Sequence, residues 1–345
     1  MSARWLRAAW LVAVATGAAQ AAYDDAPRGC RRGTNPIYFM LCSLRAAWGV
    51  VFEALAALGL LAASLLSLAL AVLEWRRGKG RRRGARLALR LLVAASALGL
   101  FGLVFAFVVE AHPFNCSSRR FLFGGLFALA FSSLAAQAGS LVKQARTGRA
   151  SSGLLALLVA LGLFLVECII KVEWLIATTV RGRPLDKRLP IQNPCYIAKK
   201  DFVASLVYVM VLLAAALVLS ALALCVRRRW SKKPAAYLLV TSALSVAIWV
   251  AWIIVYLCSE RRTDQRSGEY YNLRRDAWDD PPPALALLVN AWVLVLFCLV
   301  PWVVEARRVG GEEDEEEESS EGGGDFGLRK ASPGRAYAEN KAFDS

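Results

Sequence analysis

Histidine is almost absent from this chain: His112 is the one imidazole in 345 residues. No two of the eight cysteines stand in C-x-x-C spacing, so neither a zinc site nor a thioredoxin-like pair is expected. The H-E-x-x-H helix, the P-loop and the nucleophilic-serine signatures are lacking as well. An active site needs a nucleophile with its base, paired acids at a pocket, or metal ligands. These absences exclude most such schemes, and neither catalysis nor a cofactor or metal is expected. Paired broken helices and internal repeats, the marks of many transporters, are missing too.

What the chain does have is apolar length. Hydrophobic residues make up 57% of it and the mean hydropathy is +0.44. Seven apolar segments cover residues 48–75, 86–110, 116–146, 152–180, 201–226, 235–258 and 283–305. About twenty such residues cross the hydrocarbon core as a helix. The fold class expected is therefore an all-α membrane protein, a seven-helix bundle. The net charge of +15 sits in short clusters between these segments without interleaved aromatics, which argues against nucleic acid and for helix ends held at a membrane surface. The third segment, rich in Gly, Ala and Ser from Gly124 to Ser140, is expected to be central, because small residues let neighbouring helices approach.

Residues 1–21 carry Arg4 and Arg7, an apolar stretch over 8–15 and the small-x-small site Ala19-Gln20-Ala21. This is the pattern of a secretory signal peptide. It puts the following segment, 22–47, outside the cell, and seven crossings (48–305) then leave 306–345 in the cytoplasm of a multi-pass plasma-membrane protein. Lysine and arginine are equally numerous on the two sides, so the positive-inside rule adds nothing. Residues 306–345 hold the acidic run 312–318 and little apolar surface, and disorder is expected there. Tyr337 is a candidate phosphosite in this tail, with a merely solvated tyrosine as the alternative.

Cys30, Cys42, Cys116 and Cys195 fall in outer segments, where disulfides persist. A local Cys30–Cys42 bridge would staple the short N-terminal segment; pairing of either cysteine elsewhere is the alternative. Cys168, Cys225, Cys258 and Cys298 lie in or beside the spans and are expected as buried thiols. The sequon Asn115-Cys116-Ser117 leaves glycosylation of Asn115 open.

Charges inside a span are expensive and point to function or pairing. Glu53 lies early in the first span. Glu167 and Lys171 stand four apart with the acid first, the spacing of a pair on one helix face. Glu173 lies closer to the outer end and is a candidate for an extracellular cavity. Arg90 is expected to snorkel to the inner surface. Trp249, Trp252 and Tyr256 recur at spacings of three and four, one face of the sixth helix, and read equally well as the floor of a ligand pocket or as bundle core. With Glu173, Tyr208, Asn290 and Trp292 they form the candidate pocket set. Asn290 needs a partner within the membrane, and Pro301 is expected to kink the seventh helix. Arg76, Arg77, Lys143, Arg146, Arg227, Arg228 and Lys232 are the candidate residues facing cytoplasmic partners or anionic lipid.

Several motifs in order resemble a known family. They are Cys116 with RRFLFGGLFALAFSSLAA, VEWLI at 172–176, NPCYIAKKDFVASLVYVMVLL from Asn193, SVAIWVAW at 245–252, WDDP at 278–281, NAW at 290–292, and RAYAENKAF near the end. Together they resemble the retinoic-acid-inducible orphan receptors, group 5 of the class C G-protein-coupled receptors, and the last is most similar to the B and C members. The resemblance implies a Cys116–Cys195 disulfide, a heterotrimeric G protein or other cytoplasmic signalling partner, contact with membrane lipids, and a homo- or heterodimer; it names no ligand and no G-protein subtype. It implies also that the lysine locking the resting state of larger class C receptors is replaced here by Gln137, with no acid opposite on helix six, which favours ligand-independent activity. At Pro301-Trp302 the family pattern would have glutamate after the proline. A membrane adaptor that gathers kinases or other receptors through its tail, without nucleotide exchange, is the alternative reading.

Overall fold

The computed structural model describes residues 29–31, 47–76, 81–109, 113–148, 152–181, 199–226, 232–264 and 281–309. Seven helices among them are long and apolar enough to cross a membrane. They are α1 (Ala47–Arg76), α2 (Arg81–Val108), α3 (Pro113–Thr147), α4 (Gly153–Arg181), α5 (Val207–Cys225), α6 (Lys233–Asp264) and α7 (Pro281–Val309). At 1.5 Å per residue even the 19 residues of α5 extend about 28 Å, close to the hydrocarbon thickness. The chain is thus a multi-pass membrane protein. The signal-peptide residues, the tail with Tyr337, and Cys42, Cys195, Arg77, Arg227 and Arg228 lie outside the described residues.

The core is built around α3, which packs on α2, α4 and α5 and touches α6. Of its membrane window 72% is buried, against 22% for α1 and α4, whose leucines point outward. The small residues of α3 permit this: Ala128, Ala130, Ser132, Ser133 and Ala138 are fully buried. At Gly124 a Cβ would overlap the Lys171 side chain of α4. The helix stops at Gly148, whose φ of 68° is the left-handed turn that glycine adopts without a steric penalty, with its N–H on the Gln144 carbonyl at 3.0 Å.

Two helices depart from the expected regular spans. The fifth begins as a short helix, Lys199–Ala204, and breaks at Ser205-Leu206 before α5 starts. Ser205 bonds its own hydroxyl back to the Phe202 carbonyl at 2.7 Å, and its carbonyl accepts from Lys171. No proline or glycine announces this break. In α7 the segment Val295–Leu299 is a π-turn, closed by the Val300 N–H on the Val295 carbonyl. Pro301 follows at once. It has no N–H to give and its ring crowds the carbonyl four residues back, so the chain takes the wider turn before it. Where a kink is expected the helix carries this π-turn, and α7 then continues to Val309, with Ala306 buried.

Candidate functional site

The half of the bundle where α3 begins is filled by aromatic rings from α3 and α6. Phe123, Phe127 and Phe131 recur every four residues of α3, and Trp249, Trp252 and Tyr256 form the matching face of α6. Trp249 lies edge-on to Phe127 with centroids 5.0 Å apart and 5.9 Å from Phe131, and Trp252 meets Phe123 at 5.7 Å. Phe202, just before the fifth-helix break, closes the group against Phe123 (5.7 Å) and Tyr256 (6.2 Å). Most of these pairs are edge-to-face, the geometry that the ring quadrupole favours. All three α6 rings are buried, and the indole N–H groups of Trp249 and Trp252 have no hydrogen-bond partner among the described residues.

Beside the rings sits a buried ion pair. Lys171 Nζ stands 3.6 Å from Glu167 Oε1, with side chains 1% and 0% exposed. The ammonium donates to the Ser205 carbonyl at 2.8 Å and hydroxyl at 2.9 Å, and lies 5.7 Å from the Trp174 ring centroid. The expected pair on one face of α4 is there, and it does more than neutralise itself: it ties α4 to the break in the fifth helix. Tyr208 adds a second tie between the same helices, its hydroxyl donating to the Leu163 carbonyl at 3.0 Å.

Of the seven pocket candidates the structure brings together Trp249, Trp252 and Tyr256. Trp292 packs instead on Phe101 of α2 at 5.6 Å, and Gly59 of α1 leaves the space that the Phe101 ring occupies. Asn290 is buried, and its amide donates within α7 to the Ala286 carbonyl at 2.9 Å rather than to a neighbouring helix. Glu173 is exposed on α4 and, among the described residues, joins no buried group. The aromatic face is therefore packed core as well as a candidate site. Arg119, which no functional motif in the sequence marks, is buried and donates to the carbonyls of Ala106 (2.8 Å) and Val109 (3.0 Å), finishing α2 where its last carbonyls lack partners.

At the opposite end, where α1 finishes and α2 starts, Arg90 gathers three helices. Its guanidinium reaches Glu74 of α1 at 3.4 Å and Glu305 of α7 at 3.1 Å, and lies 5.6 Å from the Trp302 ring centroid. The expected snorkelling is thus a specific contact. Arg76, Lys143, Arg146 and Lys232 are exposed at the same end. Thr241 of α6 and Cys298 of the π-turn join α6 to α7 at 3.4 Å.

Among the cysteines, Cys168, Cys225 and Cys298 are free thiols. Cys225 corrects the expectation of burial: it is exposed, as the last residue of α5, with Val226 already extended as the chain leaves the bundle. Cys30 is disulfide-bonded. The side chains of Cys116 and Cys258 are also outside them.

The seven-helix family described as the 7 transmembrane sweet-taste receptor of 3 GCPR matches residues 42–302. The chain is 40% identical over 295 residues to human G-protein coupled receptor family C group 5 member C, covering 83% of this chain and 64% of that protein. To member B of the same group in mouse it is 40% identical over 276 residues, covering 79% of this chain and 62% of that one. To mouse retinoic acid-induced protein 3 it is 34% identical over 276 residues, covering 80% and 73%. The chain thus spans somewhat less than two thirds of the group 5 C and B relatives' length.

Proposed function

Given that the chain belongs to group 5 of the class C G-protein-coupled receptors, we propose that it is a plasma-membrane receptor without an assigned ligand, passing conformational change through its helix bundle to cytoplasmic partners. The N-terminus lies outside and the tail in the cytoplasm, so the aromatic half of the bundle faces out and the Arg90 end faces in. The carrying observation is the interface between α3 and α6, made of edge-packed rings with no ion pair across it among the described residues.

Ring edges slide against one another at lower cost than paired charges separate in a membrane, which suits an interface that must repack. A shift of Trp249 and Trp252 moves α6, and the Thr241–Cys298 contact hands that movement to the π-turn of α7. The helix ends and basic residues at the inner face, Arg76, Lys143, Arg146 and Lys232 among them, then meet a heterotrimeric G protein or another acidic signalling surface. Gln137, where a lysine lock would stand, makes no hydrogen bond through its amide nitrogen among the described residues, consistent with basal activity.

The test is a panel assay of G-protein dissociation in cells expressing the full chain against empty controls. Ligand-independent dissociation of at least one G protein is expected. Dissociation at the empty-vector level across the whole panel contradicts the reading.

A further inference from the structure

Arg90 makes its contacts at the one place where α7 has changed register. A π-turn inserts one residue into a helix, which turns everything beyond it by about 100° relative to an uninterrupted α-helix. Trp302 and Glu305 are three apart and follow that turn directly, so they share the face that it presents to α2. There one guanidinium takes a carboxylate from α1, a carboxylate from α7 and the face of an α7 indole. Arginine suits this three-way role: it stays charged, it offers five donors in a fixed fork, and its flat face stacks on aromatics. Trp302 is buried, whereas the Glu305 side chain is 52% exposed, so the contact is anchored by the ring and open on its acidic side.

We propose that Arg90 is a latch restraining the last turns of α7, residues 300–309, against α1 and α2, and that its release frees this segment and the exit of the tail. The π-turn is the hinge of this device and the Arg90 contacts are its catch. Glu305 is the half that a cytoplasmic basic group reaches first, and losing it leaves Arg90 held by Glu74 and Trp302 alone. The inference rests on the receptor reading only in placing this end in the cytoplasm; the restraint itself is a property of the bundle.

Hydrogen–deuterium exchange of the full chain in lipid nanodiscs tests it. Glu305→Gln changes a half-exposed side chain and leaves the packed bundle alone. Amides in 300–309 are expected to exchange faster by up to about fivefold, the factor that corresponds to the upper end of the range for an exposed ion pair. Arg90→Ala should exceed that increase, and the double variant should match Arg90→Ala alone, because both substitutions remove the same contact. Unchanged exchange in Glu305→Gln, or fully additive effects in the double variant, overturns the latch. G-protein dissociation read on the same variants separates the two ideas: faster exchange with empty-vector dissociation keeps the latch and sinks the receptor reading.

Discussion

Trp249 of α6 stands edge-on to Phe127 of α3, their ring centroids 5.0 Å apart and their planes at 82°. Trp249 is 2% exposed and also touches Phe123, Phe131 and Trp252, so it is the node through which α3 and α6 meet. In a lipid environment this contact is held by dispersion and ring geometry rather than by exclusion of water.

Truncating Trp249 to alanine should therefore destabilise the bundle by roughly 3–5 kcal/mol, the range for emptying a buried aromatic site. Thermal unfolding of purified protein in detergent measures it. Trp249→Phe should lose much less, and a double-mutant cycle with Phe127→Ala should return a coupling of about 0.5–1.5 kcal/mol.

The Glu167–Lys171 pair predicts an asymmetry. Lys171→Met strands a buried carboxylate and should cost about 3–5 kcal/mol, whereas Lys171→Met with Glu167→Gln removes both charges and should recover most of that loss. Surface expression and detergent melting of the two variants decide it. Equal damage from both would mean that the tie to Ser205, not charge balance, dominates the site.

Gly124→Ala places a methyl against the Lys171 side chain, and overpacking of this kind typically costs about 1–3 kcal/mol. The same substitution at Gly125, where a Cβ would meet nothing within 4 Å, should be tolerated. Parallel melting curves of the two alanine variants check the contrast.

Much of this was legible in the sequence because it follows from periodicity. Seven apolar runs gave seven helices, the small residues of α3 gave the central position, and the spacing of Trp249, Trp252 and Tyr256 put them on one face. Phe123, Phe127 and Phe131 were equally visible at intervals of four, but which helix faces which is a tertiary fact, and no periodicity encodes it. The Arg90 contact with Glu305 joins residues 215 apart, and a rotation of about 100° at the π-turn decides whether they meet at all. The break at Ser205 carries no proline or glycine, because Lys171 from another helix supplies the hydrogen bond that sustains it. Nothing in the sequence marks Arg119 apart from other cations beside a span, yet it is buried against the end of α2.

Pro301→Ala restores an N–H and removes the ring that favours the π-turn. If α7 then relaxes to uninterrupted α-helix, Trp302 and Glu305 rotate by about 100° away from Arg90. Exchange in 300–309 should rise as it does for Arg90→Ala, and adding Glu305→Gln should change nothing further.

Removal of residues 310–345 discriminates receptor from adaptor. The membrane-spanning length of α7 lies within Pro281–Val309, so the bundle should retain its melting temperature and most of its basal G-protein dissociation. An adaptor working through the tail would lose function entirely.

The account stands on seven crossings that leave the two ends of the chain on opposite faces of the membrane. The direct measurement is epitope accessibility in intact and permeabilised cells, with one tag inserted after Asp25 and another after Ser345. The account predicts that the first is stained on intact cells and the second only after permeabilisation. Staining of both tags on intact cells, or of neither, would contradict it.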